Sequence, residues 1–225
     1  MQLEKSDVMA QLIATIELGN NFSAEFRKEI LIEVSKKLTK VMPLAVSNIK
    51  GKLGEAVKSA ITLSAEYSAI VGGRLRGELG LPDGAQRIDA IIDRWAEGIS
   101  VRYLKGKTGA LGMIDIGILR SDWEDVLSMQ EAELSYTSPR RGIKILEWLR
   151  WLLTEGSAII VSQYEFISER RGSRTGLGIM VKRRGGWGVP VQFAGTEEDN
   201  FATRALEDIE GTIDVVVKRE LTKVL

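Results

Sequence analysis

The sequence predicts an α+β chain, and three observations predict it. Apolar residues recur at helical spacing through the first 63 residues and again from Asp199 onward. Beyond Gly98 the period changes to strict alternation. Alternating stretches come in neighbouring pairs, separated by Gly106-Lys-Thr-Gly in one case and by a basic turn in another. Helices at both ends with antiparallel hairpins between them is the arrangement these patterns call for. The expected division is a helical segment over 1–65 and an α+β domain with a C-terminal helix over 66–225.

Taken in order, Ser6 is placed to cap a helix whose stripe is Val8, Met9, Leu12, Ile13 and Ile16, and Gly19-Asn-Asn stops it. Ser23 caps the next helix, with Glu25 in its first turn and Phe26, Ile30, Ile32, Val34 and Leu38 as partial stripes. Pro43 is expected to kink or end it. Helix resumes from Leu44 to Leu63 with Ile49, Leu53, Val57 and Ile61 on one face. Gly72-Gly73 punctuates a loop before a short helical turn, and Pro82-Asp-Gly is a turn. Ala85–Gly98 reads as a helix packing through Ile88, Ile91, Ile92 and Trp95.

Ile99–Leu104 and Leu111–Leu119 read as a hairpin. Ser121 and its acidic neighbours open a short helix to about Met129, and Ala132–Tyr136 is a strand candidate. Ile143–Leu153, with Trp148 and Trp151 among its apolar residues, reads as a helix buried on more than one side. Strands follow over roughly 157–167 and 175–183, joined by the basic turn. In Trp187-Gly-Val-Pro-Val-Gln-Phe, Pro190 removes a donor, so the expectation is an edge strand or extended arm with Trp187, Val189, Val191 and Phe193 to one side. Such an arm either closes the domain or adds to a neighbour's sheet. The last helix carries Phe201, Ala205, Ile209, Ile213, Val216, Val217 and Leu221 as its stripe.

Composition narrows function. The chain has 225 residues, no Cys and no His, and 31 basic residues balance 31 acidic ones. Disulfides, thiolate chemistry and Ser–His or Cys–His machinery within one chain are excluded. A hydrolase or transferase would have to rest on carboxylates or Lys, and the reading favours no enzyme. Gly106-Lys-Thr lacks the Gly that a phosphate loop needs five positions earlier, where Val101 stands. Asp83, Asp89 and Asp93, or Asp122, Glu124 and Asp125, could hold only a hard cation, and helix-face charge and capping explain them more simply. No metal or cofactor is expected. No basic-then-apolar leader and no apolar run of membrane-spanning length occurs, so the expectation is a cytoplasmic chain without a membrane partner.

The densest local feature is basic: Arg170, Arg171, Arg174, Lys182, Arg183 and Arg184, with no acid from Arg170 to Arg184. These are either solvated strand ends, one cluster at each end of the hairpin, or contacts to a nucleic-acid backbone. No aromatic ladder interleaves with them, which favours non-specific duplex contact over single-strand stacking. A DNA-binding packaging accessory or regulatory protein using this region is the alternative reading.

Four stretches carry a resemblance. Glu66-Tyr-Ser-Ala-Ile-Val-Gly-Gly-Arg-Leu-Arg-Gly, Trp148-Leu-Arg-Trp-Leu-Leu, Ser173-Arg-Thr-Gly-Leu-Gly-Ile-Met and Trp187-Gly-Val-Pro through Asp199-Asn-Phe-Ala-Thr-Arg-Ala look like tailed-bacteriophage neck proteins, the head–tail connector or tail-completion components. The resemblance covers about Tyr67 to the C-terminus. It implies long helices packed on a small antiparallel sheet, and a virion structural protein assembled in the host cytoplasm. It further implies a homo-oligomeric ring, a hexamer or dodecamer, between portal or adaptor and tail terminator, with non-specific duplex DNA in its lumen. On this reading Trp187, Val189, Pro190, Val191, Phe193, Phe201, Ile209 and Ile213 are the candidate subunit interface.

Overall fold

Ser23 Oγ accepts the Phe26 N–H at 3.3 Å and so opens α1 (Ala24–Thr62), a 39-residue helix. The computed structural model describes residues 23–106, 111–118, 123–138, 142–156, 159–168 and 173–224. The expected helix at 7–16 lies outside them. Of the two expected outcomes at Pro43, a kink or an end, the end does not occur, for α1 runs through it. Proline there forfeits one backbone bond, but it sits on the exposed side, where the freed carbonyl is open to water. Met42, Ala45, Ile49, Leu53, Val57 and Ile61 are all buried, and that burial carries the helix past it.

After α1 come α2 (Ala65–Val71), α3 (Arg74–Leu79) and α4 (Gly84–Gly98), then β1 (Ser100–Leu104) and β2 (Met113–Gly117). A short α5 (Glu124–Leu127) and a 3₁₀ turn (Gln130–Ala132) lead to β3 (Leu134–Ser138) and β4 (Gly142–Leu146). Then α6 (Trp148–Leu153), β5 (Val161–Ser168), β6 (Gly178–Trp187) and α7 (Phe201–Val224) complete the order. The fold is α+β. Its strands form three separate antiparallel pairs, β1–β2, β3–β4 and β5–β6, among the described residues, rather than one small sheet.

Two compact units divide the chain. One comprises the described residues within Met1–Ala56, Gly98–Leu119 and Glu210–Leu225; the other is Val57–Glu97 with Arg120–Ile209. The expected boundary between residues 65 and 66 falls inside the second unit. In the first unit, β1–β2 pairs Val101 with Ile116 and Tyr103 with Ile114, so one face of the ribbon holds buried Val101, Ile114 and Ile116. The other face carries Arg102 and Asp115, which form an ion pair at 2.5 Å.

In the second unit, the core gathers Ile70, Leu75, Leu81, Ile88, Ile91, Trp95, Trp148 and Phe201. Trp95 meets Trp123 and Phe201 edge-on, with ring centroids 5.9 and 5.7 Å away. The stretch 66–80 is two short helices rather than a loop and one turn. Ser64 caps α2 by accepting the Tyr67 N–H at 3.1 Å, and the break falls at Gly72-Gly73. The helix expected from Ser121 is only α5, and its flanking Trp123 adopts a left-handed φ of 55°; Ser121 and Asp122 lie outside the described residues.

The largest correction concerns 143–153. Only Trp148–Leu153 is helical, and Gly142–Leu146 is a strand. Ile143-Lys-Ile alternates with β-branched residues and pairs Ile143 with Thr137 and Ile145 with Ser135. The second correction concerns β6, which runs ten residues to Trp187 instead of ending near 183. The third is the arm. Pro190 begins a turn whose carbonyl accepts from Phe193 and Ala194 N–H at 2.8 and 3.1 Å, so the segment folds back instead of extending.

Gly84 opens α4 so close to α2 that a Cβ there would lie 2.4 Å from the Ile70 carbonyl oxygen. Gly84→Ala is therefore expected to destabilise the protein by about 1–3 kcal/mol, the usual cost of forcing atoms into a packed site, read as a lower urea midpoint at unchanged slope. A midpoint equal to that of the parent protein would refute the close approach.

Candidate functional site

Of the basic residues, β6 carries Lys182, Arg183 and Arg184, and Arg174 lies ahead of it. Arg170 and Arg171 lie outside the described residues. Arg174 stacks over the Tyr136 ring, 5.2 Å from its centroid, and its guanidinium lies 2.6 Å from where a Cβ on Gly80 would sit. It therefore ties β3 to the end of α3. Lys182, Arg183 and Arg184 lie within β6 rather than at a strand end, because β6 continues through Gly185-Gly186. Arg183 bonds Glu165 across the ribbon at 3.0 Å. Lys182 and Arg184 are exposed, and neither has an ion-pair partner among the described residues.

The candidate interface residues are mostly used inside the chain. Trp187, Val189, Phe201, Ile209 and Ile213 are buried. Trp187 packs edge-on to Trp151 at 6.5 Å. Pro190 and Phe193 are half-buried, and Val191, at 79% exposure, is the open position of the eight. Alternation to one side was expected from Trp187 to Phe193; the turn at Pro190 breaks it.

Polar residues that sequence reasoning had not singled out as bonding centres organise the second unit. Asn200 is fully buried. Its Oδ1 accepts the Ala202 and Thr203 N–H at 3.0 and 3.1 Å and so caps α7. Its Nδ2 donates to the Thr196 and Leu153 carbonyls at 2.9 and 3.3 Å. One turn on, Arg204 donates to Asp199 and to buried Glu66, each at 2.6 Å. Burial works against the Arg204 charge, but the bonds to Asp199 and Glu66 outweigh it and hold the guanidinium protonated. The signals were present in Asp199-Asn-Phe-Ala-Thr-Arg as capping residues, but the distant partners Leu153 and Glu66 leave no local trace.

A second centre is Arg87. It bonds Asp83 at 2.8 Å and donates to the carbonyls of Gln130, Glu131 and Glu133, the last at 2.6 Å. Trp148 Nε1 donates to the Glu131 carbonyl at 2.8 Å. The 3₁₀ turn is thus gripped from two sides. The carboxylates considered for a hard cation go separate ways: Asp83 to Arg87, Asp89 to the Tyr67 hydroxyl at 3.0 Å, and Asp93 to Lys58 at 2.6 Å. Among the described residues no group of three His, Cys, Asp or Glu is placed to hold a metal, and no helix is long and apolar enough to cross a membrane.

Comparison with protein-family models, with curated proteins and with solved structures finds no match for this chain.

Two outcomes are expected. Burial raises the Asp83 pKa, but the hydrogen bond from Arg87 outweighs it and holds the carboxyl below its ordinary 3.8. A group depressed on folding stabilises above its unfolded pKa, and that contribution disappears as pH falls through the folded value. Urea midpoints measured from about pH 5 down to pH 2 should therefore fall less steeply in Asp83→Asn than in the parent chain, the difference opening below about pH 4; parallel curves would contradict the Arg87 bond. Arg204→Leu leaves Glu66 buried without its cation and should cost about 1–3 kcal/mol, most of it recovered in Arg204→Leu/Glu66→Leu, as a double-mutant cycle on thermal unfolding will show.

Proposed function

We propose that this chain is a structural subunit of a tailed-phage neck, a ring joining portal or adaptor to tail terminator around the DNA channel. One observation carries the reading. The four stretches that resemble neck proteins are far apart in sequence, yet they meet within a single unit, the first, second and fourth through hydrogen bonds and the third by packing against α3. Glu66 of the first accepts from Arg204 of the last. The Leu153 carbonyl of the second accepts from Asn200. Arg174 of the third lies against Gly80, at the end of the helix that holds Arg74-Leu-Arg. Stretches that carry one resemblance and also meet in one framework support a reading in which that framework is the reason for the resemblance.

The subunit contact moves from the earlier candidates to surface that is free. On β3–β4, Ile143 and Ile145 share one face with Ser135 and Thr137 and are 76% and 59% exposed. Val191 stands open on the Pro190 turn. Neighbouring aliphatic residues on an exposed ribbon face suit a second copy of the chain.

Native mass measurement of the chain, alone and with portal complexes, is expected to give hexamers or dodecamers. Ile143→Lys/Ile145→Lys should remove the oligomer while shifting monomer stability by no more than about 0.5 kcal/mol, as for surface substitutions generally. A chain that stays monomeric in both settings would end the ring reading. Oligomers that survive the double substitution would move the contact elsewhere.

A further inference from the structure

We infer that the irregular middle of the β5–β6 ribbon is a contact site for the phosphate backbone of duplex DNA. The inference deepens the neck reading and rests on it for the presence of DNA. Its support is local. Across β5 and β6 the cations Lys182, Arg183 and Arg184 face a single acid, Glu165, in a chain whose net charge is zero. Glu165 answers Arg183, so among the described residues Lys182 and Arg184 are the cations of the ribbon left without an ion-pair partner.

The backbone displays those two cations. Tyr164 pairs with Lys182 and Ser162 with Gly186, so Gln163 alone stands opposite residues 183–185. This is a bulge. It is accommodated by a φ of 63° at Gln163 and of 144° at Gly185, a value only glycine adopts readily. Strained backbone of this kind at a non-glycine residue gathers where a surface is used. A Cβ built on Gly185 would meet nothing within 4 Å, so the ribbon is open beside Arg184.

On β5 three exposed neutral donors stand beside the bulge, with Glu165 beyond them held by Arg183. Ser162, Gln163 and Tyr164 are all exposed, and Tyr164 shares a face with Lys182. Two cations with no ion-pair partner among the described residues, flanked by hydroxyl and amide donors, match a row of phosphate oxygens, and such contacts position a protein without reading sequence. One tyrosine is no stacking ladder, so the duplex is favoured over single strands.

The test uses the full chain and a fluorescently labelled duplex of about 20 base pairs and arbitrary sequence, with anisotropy titrations over a salt series. Lys182→Gln/Arg184→Gln should weaken binding and lower the slope of log K against log salt by about 1.8, since each phosphate contact contributes about 0.9. Arg183→Gln should change the slope by less than half as much. Lys182→Arg/Arg184→Lys, which keeps both charges, should bind like the parent chain, and this separates lost charge from lost fold. The inference is overturned if the parent chain does not bind duplex, if the Gln pair leaves affinity and slope unchanged, or if Arg183→Gln matches the pair. It is also overturned if the corresponding single strand binds more tightly and Tyr164→Leu loses as much as the cation pair. Ring assembly of the same variants, read by mass, stays independent. Rings without duplex binding defeat the site alone, and duplex binding by a chain that never assembles defeats the neck reading alone.

Discussion

Burying Asn200 constrains more of this protein than any other single contact. A primary amide removed from water must have its bonds answered, or each lost one costs about 1–3 kcal/mol. Here both ends are answered at once: two N–H groups of α7 on one side, and the Thr196 and Leu153 carbonyls on the other. Those four bonds fix where α7 starts, where α6 ends and how the segment between the Pro190 turn and α7 closes. Gly195 fits the same junction, for a Cβ there would lie 2.2 Å from the Leu152 carbonyl oxygen. Phe201 follows directly and places its ring against Trp95. Packing therefore depends on a polar junction rather than replacing it.

Arg204 and Arg87 repeat this logic at lower cost. Both are arginines whose planar fork spreads several donors toward acceptors from separate elements, a wider reach than the compact ammonium of a lysine has. Arg87 is the more buried of the two and bonds mainly backbone carbonyls of the 130–133 turn. Trp148 supplies its indole N–H to the same turn. The mid-chain region from α5 to β3 has little regular structure, and these donors substitute for it.

Elements with one regular pattern were legible in the sequence. The stripes Ile49–Ile61 in α1 and Ile88–Trp95 in α4 are buried as their spacing required, and the β1–β2 ribbon shows the alternation read from its residues. Segments that join two patterns were not. Ile143–Leu153 contains an alternating half and a helical half, and the density of large apolar residues on both sides hid the join at Glu147. The Pro190 segment misled because alternation over four residues looks the same in a strand and in a turn. Burial of Trp187 and Phe201 follows from apolarity alone; whether a neighbouring copy or the chain itself covers them does not. The basic cluster was visible as composition. Its display on a bulge depends on strand register, which is a property of two distant segments together.

Glu66 and Arg204 are 138 residues apart, and Trp95 likewise precedes its partner Phe201 by much of the chain. On a ribosome releasing the chain from its N-terminus, α2 and α4 emerge well before the residues that cover them. Until α7 appears, an indole and a carboxylate destined for the interior remain in water, and the unit cannot close. The hairpins face no such delay, since each pairs neighbours. Synthesis thus has a natural interval, late and sharply ended, in which this chain is most open to chaperones and to proteases.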